Sequence, residues 1–103
     1  VYYEYLLDEE YSNLADAGST KIVKYRVTIE YTDEKIMSSL DQNKTRIRNN
    51  IDEIMRATTS EEISRVNGKQ RIRERIQNMI IDVLESDDDT ITNIYIQPFV
   101  VQG

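Results

Sequence analysis

The segment Val23-Lys24-Tyr25-Arg26-Val27-Thr28-Ile29-Glu30-Tyr31 decides the fold. Every odd position holds an apolar or aromatic residue, and every even position holds a polar or charged one. A period of two is typical of a β-strand with one face on a hydrophobic core and the other in water. Branched and aromatic side chains also pack well on a pleated surface. The odd face therefore needs a cover from elsewhere in the chain.

Two regions with helical periodicity can supply this cover. The first is expected to begin at Thr32, whose side chain would cap the free amides, and to run to about Thr58. The poor helix formers Asp41-Gln42-Asn43 predict a kink or a brief break within it. Its apolar stripe consists of Ile36, Leu40, Ile47, Ile51, Ile54 and Met55.

The second helical region follows a capping box. Thr59 and Glu62 form this pattern, which predicts a short helix that ends before Asn67-Gly68. A longer helix is expected from about Lys69 to Leu84, because apolar residues recur there at helical spacing. These residues are Ile72, Ile76, Met79, Ile80 and Val83.

The last strand is expected over residues 91–101. Its alternation is interrupted, and a β-bulge at Gln97-Pro98 would restore a single buried apolar face consisting of Ile94, Ile96, Phe99 and Val101. The order strand, helix, helix, strand brings the two strands together antiparallel. The predicted fold class is therefore α+β, a small antiparallel sheet covered on one face by two long amphipathic helices. Since a two-stranded sheet is thin, a third strand is expected from the N-terminal region or from another copy.

The N-terminal region has a different composition. Residues 1–7 are rich in Tyr and are expected to form an extended packing arm or a short helix, and residues 16–20 predict a turn. We therefore divide the chain into an N-terminal arm and turn, residues 1–19, and a single α+β domain, residues 20–103.

Composition argues against a catalytic site. The 103 residues include no Cys and no His, which removes thiolate nucleophiles, the usual proton shuttle and the commonest metal ligands. Asp87-Asp88-Asp89 lacks the spacing of a Ca²⁺ loop, so a solvated turn is favoured there. The adjacent acidic pairs Asp52-Glu53 and Glu61-Glu62 diverge around their helices and are expected to lie on the surface. We expect no enzyme activity, catalytic residue, cofactor or bound metal.

Charge is distributed unevenly along the chain. Residues 1–20 carry a net charge of −5, residues 21–75 carry +4 and residues 76–103 carry −5; the total of −6 argues against nucleic acid as a partner. The basic run from Lys69 to Arg75 is favoured as a solvated helix surface over a phosphate site. The uneven distribution favours head-to-tail contact between copies. The candidate interaction residues are Arg71 and Arg75 on the basic surface and Asp87 and Asp88 on the acidic one.

Several motifs carry a family resemblance through their order and spacing. They are Asn13-Leu14-Ala15-Asp16; Ile47-Arg48-Asn49 with Ile51, Ile54 and Met55; Thr59 with Glu61-Glu62-Ile63; Gly68-Lys69 with Ile72-Arg73-Glu74 and Ile76; and Ile94-Tyr95-Ile96 with Phe99-Val100-Val101 and Gln102. Together they resemble the extracytoplasmic domain of the FliL family of flagellar basal-body-associated proteins. The resemblance covers residues 13–102. The chain departs from the family at Ile96-Gln97-Pro98, where the family more often has Phe-Thr before an acidic residue.

The resemblance implies a non-enzymatic accessory protein of the flagellar motor with a stomatin-like (SPFH-like) fold. It implies an inner-membrane protein whose single N-terminal transmembrane helix is missing from this segment and whose remaining domain is periplasmic. When tethered to the membrane, the domain would form a homo-oligomeric ring around the stator units MotA/MotB and support torque and swarming. The alternative is a stomatin-like scaffold or adaptor unrelated to flagella, and a transmembrane span upstream of Val1 would favour the first interpretation.

Overall fold

The computed structural model describes residues 1–18 and 20–103, and it has an α+β fold with helices on one face of a small antiparallel sheet. The strands are β1 (Tyr3–Leu6), β2 (Glu10–Asn13), β3 (Ile22–Tyr31) and β4 (Ile91–Gln102). The helices are α1 (Ile36–Gln42), α2 (Lys44–Arg56), α3 (Ser60–Ser64) and α4 (Gly68–Leu84). The turn predicted over residues 16–20 contains Ser19, which lies outside the described residues.

β3 is the central strand of the sheet. β1 pairs with its C-terminal half and β2 with its N-terminal half, so these two short strands share one edge of β3. β4 pairs with the other edge of β3, along nearly the whole length of β3. The odd residues of β3 are all buried, which confirms the predicted alternation: Val23, Tyr25, Val27, Ile29 and Tyr31. The N-terminal region therefore supplies the additional strand pairing that a two-stranded sheet needs.

β4 contains the predicted bulge. Gln97 and Pro98 together oppose the single residue Arg26, because the flanking pairs are Phe99 with Tyr25 and Ile96 with Val27. A second irregularity in the pairing with β3 lies nearer the start of β4, between Glu30 and Tyr31. The bulge at Gln97-Pro98 returns the later part of β4 to the helix-covered face, as the sequence predicts.

Burial along β4 is less complete than predicted. Ile94 is buried, but Ile96, Phe99 and Val101 are only partly covered, so the expectation that all four are buried is wrong. The reason is their position at the edge of the sheet. Within the described residues no strand lies beyond β4 to cover these side chains from the outside.

The helices follow the predicted periodicity, with one difference at the start of α1. The first predicted helix is divided into α1 and α2 at Asn43, at the expected break. α1 begins at Ile36, so the prediction that Thr32 caps it is wrong. Residues 33–35 form a separate turn instead, in which the Asp33 carboxylate accepts a hydrogen bond from the Lys35 amide at 3.0 Å.

The core lies between the sheet and the two longer helices. α2 packs on β2, and α4 packs on β4. Each helix contributes three fully or almost fully buried residues from its predicted stripe, Ile47, Ile51 and Met55 from α2 and Ile72, Ile76 and Ile80 from α4. Burying a side chain of this size stabilises the fold by about 1.5–3 kcal/mol. This packing fixes α4 beside β4, the arrangement on which the surfaces below depend.

Candidate interaction surfaces

The N-terminal half of α4 carries two basic surfaces. Its cations occupy every second position, at Lys69, Arg71, Arg73 and Arg75. Residues four apart share a side of a helix, whereas residues two apart diverge. Lys69 and Arg73 accordingly line the side next to β4, and Arg71 and Arg75 line the side next to α3.

Arg71 and Arg75 lie in a cleft of about 100 Å³ between α3 and α4, together with Arg65. Gly68 allows the two helices to approach closely, because a Cβ there would collide with the carbonyl oxygen of Glu62. Arg65 forms an ion pair with Glu61 at 2.8 Å. Among residues 1–18 and 20–103, no carboxylate pairs with either Arg71 or Arg75. The cleft is therefore an exposed basic surface.

Asp87 and Asp88 lie at the opposite end of α4, in an exposed turn. The 17 residues of α4 span about 25 Å. The helix ends at Glu85, which adopts a left-handed conformation with φ of 51°, and the amide of Ser86 then donates to the carbonyl oxygen of Ile81 at 3.1 Å. The structure thus places the predicted basic and acidic residues at opposite ends of one helix and does not bring them together within one molecule.

The part of the chain that the structure describes has no group of three or more acidic, His or Cys side chains arranged to hold a metal ion. Within the same residues, no helix has the length and hydropathy that a membrane span requires.

A groove between α4 and β4 is a surface that the sequence reasoning missed. One part, of about 580 Å³, lies between Lys69, the β4 residues Phe99 and Val101, and the α3 segment that contains Glu61 and Ile63. A second part, of about 320 Å³, lies between Arg73 and the β4 residues Ile94 and Ile96. The floor of both parts consists of the partly covered apolar residues of β4, Ile96, Phe99 and Val101. We refer to the two parts together as the α4–β4 groove. The signal for it is the uncharged sequence of β4 beside basic residues that recur on one side of α4.

A polar network between the sheet and α2 was also missed. The hydroxyl groups of Ser12 and Tyr25 are 2.8 Å apart, and Ser12 donates to the carboxylate of Asp52 at 2.6 Å. Arg48, one turn before Asp52, forms an ion pair with Glu10. Asp52 is therefore partly buried and bonded, which corrects the expectation that it lies on the surface with Glu53. The sequence signal is the position of Asp52 next to Ile51 on the apolar stripe of α2.

The tyrosines of the N-terminal region attach it to the core. The rings of Tyr3 and Tyr31 stack with centroids 5.5 Å apart. Burial, together with the hydrogen bond that its hydroxyl donates to Asp41 at 2.6 Å, raises the pKa of Tyr5 to about 12. Burial also raises the pKa of Tyr25, against the opposing effect of its contact with Ser12. The phenols of Tyr5 and Tyr25 are therefore protonated at neutral pH and act as packing and hydrogen-bonding groups.

Comparison with known proteins confirms the resemblance seen in the sequence. A family model described as "Flagellar basal body-associated protein FliL" matches residues 5–102. A protein named "Flagellar protein FliL" from Aquifex aeolicus (strain VF5) is 27% identical over 90 residues, which cover 87% of this chain and 55% of the relative. The chain therefore spans about half the length of that relative.

The family match favours a flagellar accessory role over an adaptor unrelated to flagella. Nearly the whole sequence is matched, from β1 to the end of β4. The chain belongs to the FliL family of flagellar basal body-associated proteins.

Proposed function

We propose that this chain is the periplasmic domain of an inner-membrane protein that assembles as a ring around the MotA/MotB stator units and supports motor torque and swarming. In this proposal the domain has a stomatin-like (SPFH-like) fold. The main observation that supports this proposal is the separation of charge along α4. The chain in which it occurs belongs to a flagellar basal-body family. A transmembrane helix upstream of residue 1 would tether the domain to the membrane.

The charge separation supports a head-to-tail contact. Arg71 and Arg75 are exposed near the start of α4, and Asp87 and Asp88 are exposed just beyond its end. Along the helix axis, Arg71 lies about 20 Å and Arg75 about 14 Å before the last helical residue, Leu84, so neither pairs directly with Asp87 or Asp88 within one molecule. A neighbour displaced along the helix axis brings them together, and such a heterologous contact closes into a ring when its rotation permits.

Each contact of this kind is weak. An exposed ion pair contributes about 0.2–1 kcal/mol and is screened by salt. Tethering to a membrane raises the local concentration of the domain and favours association without any new contact. The untethered chain is therefore expected to be monomeric or weakly associated in dilute solution.

The test is charge reversal in the full-length protein in its own bacterium. Arg71→Glu with Arg75→Glu should reduce both the recovery of MotA/MotB with the protein and the swarming rate. Adding Asp87→Lys and Asp88→Lys should restore both, because the complementary charges are then exchanged. Arg46→Glu with Arg56→Glu is the matched control, since both residues are exposed on α2 away from the cleft.

Equal loss in the control and the Arg71/Arg75 variant would contradict the charge-based contact. Stator recovery and swarming that do not respond to any of these changes would contradict it as well.

A further inference from the structure

The outer edge of β4 is an unprotected strand edge. β4 is 12 residues long and pairs only with β3 in the described part of the chain. It contains no Lys, Arg, Asp or Glu. Edge strands of this length normally carry charged side chains or are covered, because their free N–H and C=O groups are a template for pairing with another chain. This edge is interrupted by the bulge at Gln97-Pro98 and by the second irregularity near Thr92, and the Ile94 amide donates to the Asn93 side chain at 2.8 Å.

An incompletely covered apolar row runs beside this edge. Ile96, Phe99 and Val101 point to the helix-covered face, yet each is only partly buried. They form the floor of the α4–β4 groove, whose wall consists of α4 and, beside Lys69, of α3. An added strand paired with β4 would extend the sheet beneath this groove, and every second side chain of that strand would enter it.

The wall of the groove carries two cations from α4, together with Glu61 of α3, whose carboxylate pairs with Arg65. Lys69 and Arg73 lie one helical turn apart, and the Lys69 Nζ is 5.3 Å from the centroid of the Phe99 ring. Arg73 donates hydrogen bonds to the side chain of Gln70. Among residues 1–18 and 20–103, neither cation has a carboxylate partner. The groove therefore combines a strand edge, an apolar floor and two cations free to meet carboxylates.

We propose that β4 and the α4–β4 groove bind an extended acidic peptide segment of another protein by strand addition. Main-chain hydrogen bonds to β4 hold the segment, its apolar side chains lie on Ile96, Phe99 and Val101, and its carboxylates meet Lys69 and Arg73. This site differs from the proposed ring contact, which uses Arg71 and Arg75 on the other side of α4.

A second copy of this chain fits the groove less well. The acidic N-terminal region of each copy is already paired with its own β3 through β1 and β2. Direct pairing of two β4 edges would bring two basic α4 surfaces to one joint sheet, which is unfavourable for like charges.

The experiment uses the 103-residue chain and a labelled, blocked eight-residue peptide, Val-Ser-Glu-Ser-Val-Ser-Glu-Ser, called the Val–Glu peptide. Its Val and Glu side chains lie on one face of an extended strand, so all of them can enter the groove. Fluorescence anisotropy should show binding with a dissociation constant below about 1 mM. The same peptide with Lys in place of both Glu residues should bind at least about tenfold more weakly, since its charges then have the same sign as Lys69 and Arg73. N-methylation of alternate backbone amides on the pairing edge of the Val–Glu peptide should abolish binding, because strand pairing needs those N–H groups.

Two double variants locate the site on α4. Lys69→Glu with Arg73→Glu should weaken binding of the Val–Glu peptide by at least about tenfold. Arg71→Glu with Arg75→Glu, the matched reversal on the other side of the same helix, should change it by less than about twofold. Circular dichroism of both variants checks that they are folded, and sedimentation of the unmodified chain measures self-association.

Four outcomes would overturn the proposal. They are no binding up to about 1 mM peptide, equal loss in the two double variants, unchanged binding of the N-methylated peptide, and a stable dimer that excludes the peptide. The last outcome would assign the edge of β4 to a second copy.

Discussion

The two edges of the sheet are constructed in opposite ways. One edge consists of β1 and β2, two strands of four residues each, separated by a segment that contains Asp8 and Glu9. The other edge is β4, a 12-residue strand without a charged residue. Short strands and charge are the usual protection of a sheet edge. The first edge is therefore suited to remaining free in water, and the second to receiving a partner.

The attachment of the two edges to the helices differs as well. The β1–β2 edge is held by specific polar contacts, from Ser12 to Asp52 and from Tyr5 to Asp41. β4 is held firmly at its start, where Ile94 is buried and the Gln77 side chain donates to the carbonyl oxygen of Ile91 at 2.7 Å. Towards its end the apolar residues are only partly covered. The later part of β4 is therefore incompletely packed on the core face of the sheet.

The largest expected effect comes from comparing Ile94→Ala with Ile96→Ala. The two changes remove the same atoms from the same face of β4, on either side of Tyr95. Ile94→Ala should lower the free energy of unfolding by about 2–5 kcal/mol, and Ile96→Ala by only about 1–2 kcal/mol, because Ile96 is partly exposed. Urea denaturation measures both. Equal losses would contradict the gradient of packing along β4.

Ser12→Ala tests how the opposite edge is attached. The change leaves the Tyr25 hydroxyl and the Asp52 carboxylate without their shared partner in a partly buried site. The free energy of unfolding should fall by about 1–3 kcal/mol. Tyr11→Ala is the control, because Tyr11 is exposed at the neighbouring position of β2. This substitution should lower the free energy of unfolding by less than Ser12→Ala does. A loss at Ser12 no greater than that at Tyr11 would mean that the network contributes little.

Tyr5→Phe tests the same edge through its pH dependence. The folded-state pKa of Tyr5, about 12, lies above the ordinary tyrosine value of 10.0. Its contribution to stability is therefore fully present below pH 10 and is lost as the pH rises from about 10 to 12. Tyr5→Phe should cost about 0.5–1.5 kcal/mol at neutral pH and should reduce the loss of stability in this alkaline range. Denaturation of both proteins at several pH values measures this loss. An equal loss of stability in Tyr5→Phe and in the unmodified chain would contradict this assignment.

Local patterns in the sequence were sufficient for much of the fold. The alternation at residues 23–31, the helical stripe of α4, the capping of α3 by Thr59 and the bulge at Gln97-Pro98 each depend on neighbours close in sequence. The start of α1 was mispredicted because the Asp33 side chain stabilises a turn that competes with the helix.

Contacts between distant residues were not predictable in this way. β1 and β2 are short and weakly patterned, and they form strands because they pair with the edge of β3. Asp52 was assigned to the surface because its partner Ser12 is 40 residues away. The α4–β4 groove depends on which strand lies at the edge of the sheet. That property belongs to the strand order rather than to any one segment.

The difference between the two edges is tested most directly by residue-resolved amide hydrogen exchange of the 103-residue chain, with and without the Val–Glu peptide. In the free chain, the β4 amides that point away from β3 should exchange rapidly, while those of β3 are protected on both sides. The peptide should slow exchange of these β4 amides and leave β1 and β2 unchanged. Protection of the outer β4 amides in the free monomer, or slowing confined to β1 and β2, would contradict the account.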